Sequence, residues 1–185
     1  MPEQNKSKPK IEDFIHEYLG DMQKNALDFV AYLRANKMSI SKYSKELWMV
    51  KYKSIRMCFI KLYMENEYDT LPDGNYPAWS INPNLIINNS HKYLNDNENL
   101  IISEGLQNII WDNLIRCRFG EQGEGKGCSP GKACGNGTKV FTVIGKKITG
   151  VCSGCEWTTG INDPDETTIN GIKRLLELKK KAIDD

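Results

Sequence analysis

Five of the six cysteines in this chain of 185 residues fall between Cys117 and Cys155, and the segment among them has almost nothing with which to build a core. Residues 119–137 hold seven glycines and no aliphatic side chain larger than alanine. Ordering such a segment costs backbone entropy that little apolar burial can offset. Bonds of another kind are needed, and thiolate–metal bonds are the obvious kind. Zinc takes about four cysteine or histidine ligands in a tetrahedron and ties down chain that cannot fold alone.

The spacing is compatible with such a site. Cys152-Ser-Gly-Cys155 has the two-residue separation that turns both sulfurs onto one ion, and Ser153 and Gly154 let the backbone curl around it. Cys117, Cys128 and Cys134 are the other candidate ligands, so five thiols compete for about four places. Intervening gaps of ten, five, seventeen and two residues match no standard finger. Unliganded thiols and redox chemistry at Cys152 and Cys155 stay open as alternatives. A CxxC dithiol is activated when a helix N-terminus follows it, and here the next expected helix begins only near Pro164. His16 and His91 lie far from the cluster in sequence and read as surface residues.

Hydrophobic periodicity places the remaining elements. A short helix over 11–19 carries Phe14, Ile15, Tyr18 and Leu19 on one stripe, and Gly20 ends it. A second helix over 21–36 buries Met22, Ala26, Phe29, Val30 and Leu33. Residues 47–53 and 56–63 read as a hairpin in which Cys58, Ile60 and Leu62 alternate with Met57, Phe59 and Lys61. A free thiol at Cys58 is then a small core hydrophobe. Residues 65–77 are a turn-rich loop. Two short strands, 79–81 and 85–87, are expected to be broken by Asn82-Pro83-Asn84, and 88–99 reads as Asn- and Asp-rich surface loop with room for one helical turn around Tyr93.

Ser103 is placed to cap a helix to about Ile115 that delivers Cys117. Strands over 138–144 and 148–151 turn at Gly145-Lys146. The terminal helix takes Asp163 as cap, Pro164 as its first residue and Glu166 in a capping box. Its Ile169, Ile172 and Leu176 face the core, while Lys179, Lys180 and Lys181 sit at the negative end of its dipole. The expectation is an α+β fold, an antiparallel sheet flanked by helices with a glycine- and cysteine-rich C-terminal insertion. Residues 1–10 read as a flexible arm and 11–185 as one domain, with the insertion at 118–137 and the terminal helix at 164–183.

Lys plus Arg number 25 against 24 Asp plus Glu, so the net charge of +1 provides no long-range field for a phosphate backbone, and nucleic acid is not the expected partner. No apolar run approaches the roughly 20 residues that span a bilayer, and the polar N-terminus lacks the apolar stretch of a secretion signal. A cytoplasmic protein without a membrane partner is expected, in a compartment where thiols stay reduced. GEQGEGKGCSPGK shares only glycine content with a phosphate loop, lacking the GK[ST] ending. No HExxH, Ser/His/Asp order or paired-carboxylate motif stands out, which favours a binding module over an enzyme. Trp48, Tyr52, Tyr63 and Trp79 are the candidates for lining a small-ligand or partner cleft beside the sheet.

Two helices followed by LWMVKYKSIRMCFIKLY and WSINPNLIIN resemble the small α+β domains of the YdhG-like, frataxin-like iron-chaperone group. WDNLIRC, VIGKKITGVC and NDPDE resemble the tail of uncharacterised bacterial proteins of that kind with a cysteine-bearing extension. Where a second cysteine three residues past Cys117 would complete another pair, this chain has Gly120. The first likeness covers roughly a third of the chain. It implies a concave sheet able to hold a small ligand, and iron binding through the acidic helix that carries Glu12, Asp13, Glu17 and Asp21.

Overall fold

The computed structural model describes residues 9–63, 77–85, 91–112, 138–152 and 160–185. Helix α1 (Ile11–Tyr18) buries Ile11 and Ile15, and the backbone of Lys10 donates to the Asp13 carboxylate at its start. Gly20, at φ +47°, reverses the chain into a single 3₁₀ turn, Gly20–Met22. Met22 therefore points outward at 45% exposure, and the buried face expected from Met22 onward begins at Ala26 in α2 (Gln23–Ala35). Ala26, Phe29, Val30 and Leu33 lie on that face as the periodicity requires.

Strands β1 (Ser39–Lys42), β2 (Leu47–Tyr52), β3 (Ile55–Leu62), β4 (Trp79–Pro83) and β7 (Ile161–Asn162) form one antiparallel sheet in the order β1-β2-β3-β4-β7. Lys53 and Ser54 both take positive φ in the β2–β3 turn, whose twist matches that of the strands it joins. Pairing runs Val50 to Cys58 and then Lys51 to Arg56, so Met57 has no partner on β2. This bulge replaces the strict alternation expected there: adjacent Met57 and Cys58 both enter the same core cluster. β4 runs through Pro83 instead of stopping before it. β3 pairs with β4 at Cys58–Pro83, whereas β7 meets β4 only at Ser80 and Ile81, so the missing N–H of Pro83 removes no ladder bond to β7.

Helices α1, α2 and α6 (Glu166–Asp184) cover one face of the sheet, enclosing Trp48, Val50, Ile60, Leu62, Trp79 and Ile81. A second cluster gathers Leu85, α3 (Lys92–Asp96), α4 (Glu98–Ser103), α5 (Gln107–Asp112) and the hairpin of β5 (Thr138–Val143) with β6 (Lys146–Cys152). Helix α6 serves both: Ile169, Ile172 and Leu176 pack in the first cluster, Leu175 and Leu178 in the second.

Ser103 ends a helix here; it does not begin one. Gly105 at φ +70° takes the residue beyond the cap, with Leu106 N donating to Ile101 O and Gly105 N to Ile102 O. That bond pair is the Schellman closure of a helix C-terminus: α4 ends where the expected helix was to begin, and α5 starts only at Gln107. The start of α6 also moves. Its N-cap is Asp165, which accepts from Thr168 N at 2.7 Å, and Asp163 instead bonds the sheet.

Candidate functional site

Of the four aromatic residues expected around a cleft, Trp48 and Trp79 belong to the core cluster with Tyr52 packed against it, and Tyr63 lies apart from them. Trp48 and Trp79 are 2% and 1% exposed and sit in the core beneath the helices. The Tyr52 hydroxyl donates to the Asp184 carboxylate at 2.8 Å, fastening the end of α6 to the β2–β3 turn. Tyr63 lies past the end of β3 and meets Ser80 and Asn162 at 3.4 and 3.5 Å. Trp79 and Ser80 are adjacent strand residues and point to opposite faces, so the side chains that Tyr63 meets are turned away from the core.

Cys117, Cys128, Cys134 and Cys155 lie outside the described residues, as do the whole of 118–137 and residues 86–87 of the strand expected at 85–87. Among the described residues no group of three or more His, Cys, Asp or Glu side chains could hold a metal. Cys152 is the last residue of β6, and its backbone pairs with Thr138, the first residue of β5. The hairpin is well anchored at its turn. Ile144 and Gly145, both at positive φ, form that turn one residue earlier than the expected Gly145-Lys146. Ile144 is β-branched and held at an unfavourable φ; its N–H donates to Asn95 Oδ1 at 3.0 Å and its side chain is buried. Asn95 Nδ2 donates to Thr142 O and Trp111 Nε1 to Val143 O, with His91 Nε2 3.1 Å from the same Thr142 oxygen. His16 is exposed, with Nδ1 2.9 Å from Gln23 Oε1.

Lys179 is the position that the helical dipole argument misplaced. Its side chain is 0% exposed, and the ammonium donates to Arg56 O at 2.7 Å, Asn84 O at 2.5 Å and Asn84 Oδ1 at 3.5 Å. The carbonyls belong to the residue beside the β3 bulge and to the residue following β4, where ladder pairing gives out. Cys58, also fully buried, has its thiol pushed up to about 12, chiefly by desolvation and against the opposing field of Lys179. At neutral pH it is an inert thiol. The signal for Lys179 was in the sequence: it follows Ile172 and Leu175 at the seven- and four-residue spacing of the apolar stripe.

A second constellation, at α1 and the β1–β2 edge, was not anticipated. Phe14 and Trp48 meet edge to face, with centroids 5.5 Å apart and planes at 64°. The Lys42 ammonium stands 4.1 Å above the Phe14 ring and 5.8 Å from that of Trp48. Tyr18 stacks on Phe14, with centroids 6.2 Å apart, and is 39% exposed. The Glu17 carboxylate hydrogen-bonded to it raises the Tyr18 pKa. The Trp48 indole Nε1 is buried with no hydrogen-bond acceptor among the described residues. The helical stripe marked Phe14 and Tyr18 as core and Trp48 was expected to line a cleft; only the strand partner carrying Lys42 shows that the Phe14–Trp48 pair meets a cation.

No family model, no curated protein and no solved structure matches this chain, so the site's own chemistry carries the functional reading.

Proposed function

We propose that this chain is a small-ligand- or partner-binding module whose C-terminal insertion is organised by a structural zinc ion bound through its cysteines. The carrying observation is the β5–β6 register, in which Thr138 lies opposite Cys152. The chain arriving from Cys128 and Cys134 and the chain leaving toward Cys155 thus run through the same end of one hairpin. Paired strands are about 4.8 Å apart, and Cys134 precedes Thr138 by four residues, a reach of at most about 14 Å. Cys117 comes from the other end. Trp111 is fixed beside Val143, and the six residues from Trp111 to Cys117 would have to span nearly the whole of β5, about 17 Å, roughly four-fifths of their full reach of about 20 Å. Cys128, Cys134, Cys152 and Cys155 are therefore the favoured ligand set, with Cys117 the spare thiol.

Metal content after purification without added zinc tests this reading. About one zinc per chain is expected, retained by Cys117→Ser and lost in the Cys152→Ser/Cys155→Ser double variant. Unchanged metal in the double variant, or none in the parent, overturns it.

A further inference from the structure

We propose that Phe14, Tyr18 and Trp48 form a binding site for a quaternary or methylated ammonium group, occupied in the unliganded chain by the ammonium of Lys42. This deepens the binding-module reading by naming a ligand class, and it stands apart from the zinc.

A cation is drawn to the negative faces of aromatic rings, most strongly where several rings surround it and water is kept away, and alkylated ammoniums favour such sites because their hydration is weak. Phe14 and Trp48 present rings at 64° to one another, and a single ammonium already rests against both, 4.1 and 5.8 Å from their centroids. Lys42 reaches this place from an exposed edge strand, so its side chain can swing out into water without disturbing the core. Trp48 is wedged into the core and Phe14 is half-buried against it, which fixes the rings in advance.

Two further features fit a cation. Asp13 and Glu17 neighbour Phe14 and Tyr18 in sequence on α1, and the Glu17 carboxylate is hydrogen-bonded to the Tyr18 hydroxyl. Glu12, by contrast, is taken up by the bidentate pairing of Arg34, at 2.6 and 2.9 Å. The indole N–H of Trp48 lacks an acceptor among the described residues, and Lys42, itself a donor, cannot supply one. A ligand combining an alkylated ammonium with an oxygen, as choline does, brings both a cation for the rings and a hydrogen-bond acceptor.

The full chain labelled with ¹⁵N-tryptophan provides the test. The Trp48 indole resonance is assigned by its loss in Trp48→Phe, and choline chloride is titrated against sodium chloride at matched ionic strength. A saturable shift of that resonance with choline and not with sodium is expected. Removing the resident cation by Lys42→Ala should tighten binding roughly two- to fivefold, and adding Tyr18→Ala, at an exposed position, should weaken it again. A trimethyl-lysine peptide titrated in parallel distinguishes a protein side chain from a free amine as the source. No saturable shift in either the parent or Lys42→Ala, or an affinity unmoved by both substitutions, overturns the proposal. Zinc content measured on the same samples keeps the two readings separable, because loss of choline binding with metal retained rejects the aromatic site alone.

Discussion

Lys179 and Asn84 are held together inside the protein by a 2.5 Å hydrogen bond from the ammonium to the backbone carbonyl of Asn84. The same ammonium caps Arg56 O at 2.7 Å, so one charge from α6 satisfies both the bulged strand β3 and the end of β4. A buried charge is tolerated only when hydrogen bonds replace its hydration.

Lys179→Ala should therefore be among the most damaging single substitutions in α6, since it strands two buried carbonyls and leaves a cavity. A loss of about 2–4 kcal/mol is expected in urea unfolding. Lys181→Ala, two residues on and exposed, should stay within about 0.5 kcal/mol. Equal effects at the two positions would show that the ammonium is not held as described.

Asp163 is a clasp between the loop before α6 and the sheet. Its carboxylate accepts from Ala78 N at 2.9 Å and Trp79 N at 3.0 Å, while its own N–H donates to Trp79 O. It does so at φ +40°, a conformation that Asn and Asp tolerate better than most residues. Asp163→Asn, which keeps an acceptor oxygen and that tolerance, should unfold close to the parent. Asp163→Ala should lose about 2 kcal/mol, read as a lowered midpoint in thermal or urea unfolding.

Stability should fall at both ends of the pH scale, for different groups. At the acid end, Glu12 is lowered first by the Arg34 hydrogen bond, Asp184 by Lys53 and then Tyr52, and Asp165 by Thr168. Depressed carboxylates contribute stability above their unfolded values of 4.5 and 3.8, and that contribution drains away as pH falls through the folded values. At the alkaline end, desolvation raises Cys58 from 9.0 to about 12 and raises the tyrosines Tyr32 and Tyr93. These groups fold as neutral species, so their contribution is intact below the unfolded pKa and is lost as pH climbs from about 9 toward the folded values. Urea midpoints measured from pH 3 to pH 11 should trace a plateau with two falling limbs, and Cys58→Ala should make the alkaline limb shallower.

Cys58 should also resist alkylation in the folded chain at pH 8 and react only on unfolding. Mass spectrometry after brief iodoacetamide treatment, with and without urea, reads this directly. Modification of Cys58 under native conditions would contradict its burial.

Sequence patterning conveyed a good deal of this architecture. The 29-30-33 face of α2, the β2–β3 hairpin and the terminal helix follow from periodicity, because apolar spacing reports which face is buried wherever an element is long. β1 escaped notice because an exposed four-residue edge strand, Ser39–Lys42, has little apolar pattern to display. The α4–α5 break was legible in Gly105, whose positive φ a continuous helix cannot use, but Ser103 beside it read as a cap. For the functional residues the legible part was narrower. Residue types and spacing alone proposed the cysteine cluster, while the Phe14–Trp48–Lys42 contact joins three elements that no local pattern links.

By itself the amino-acid sequence determined the mixed α+β class and the buried faces of the long elements, because these depend on side-chain period along a single segment. It also marked residues 119–137 as a stretch with little apolar material of its own. Tertiary structure alone decided where charges and carbonyls meet: that Lys179 turns inward to Arg56 and Asn84, that Asp163 clasps Trp79, and that Thr138 faces Cys152. Those partners are separated by up to 123 residues, and hydrogen-bond demand left over at a bulge or a strand end becomes visible only once the strands have paired.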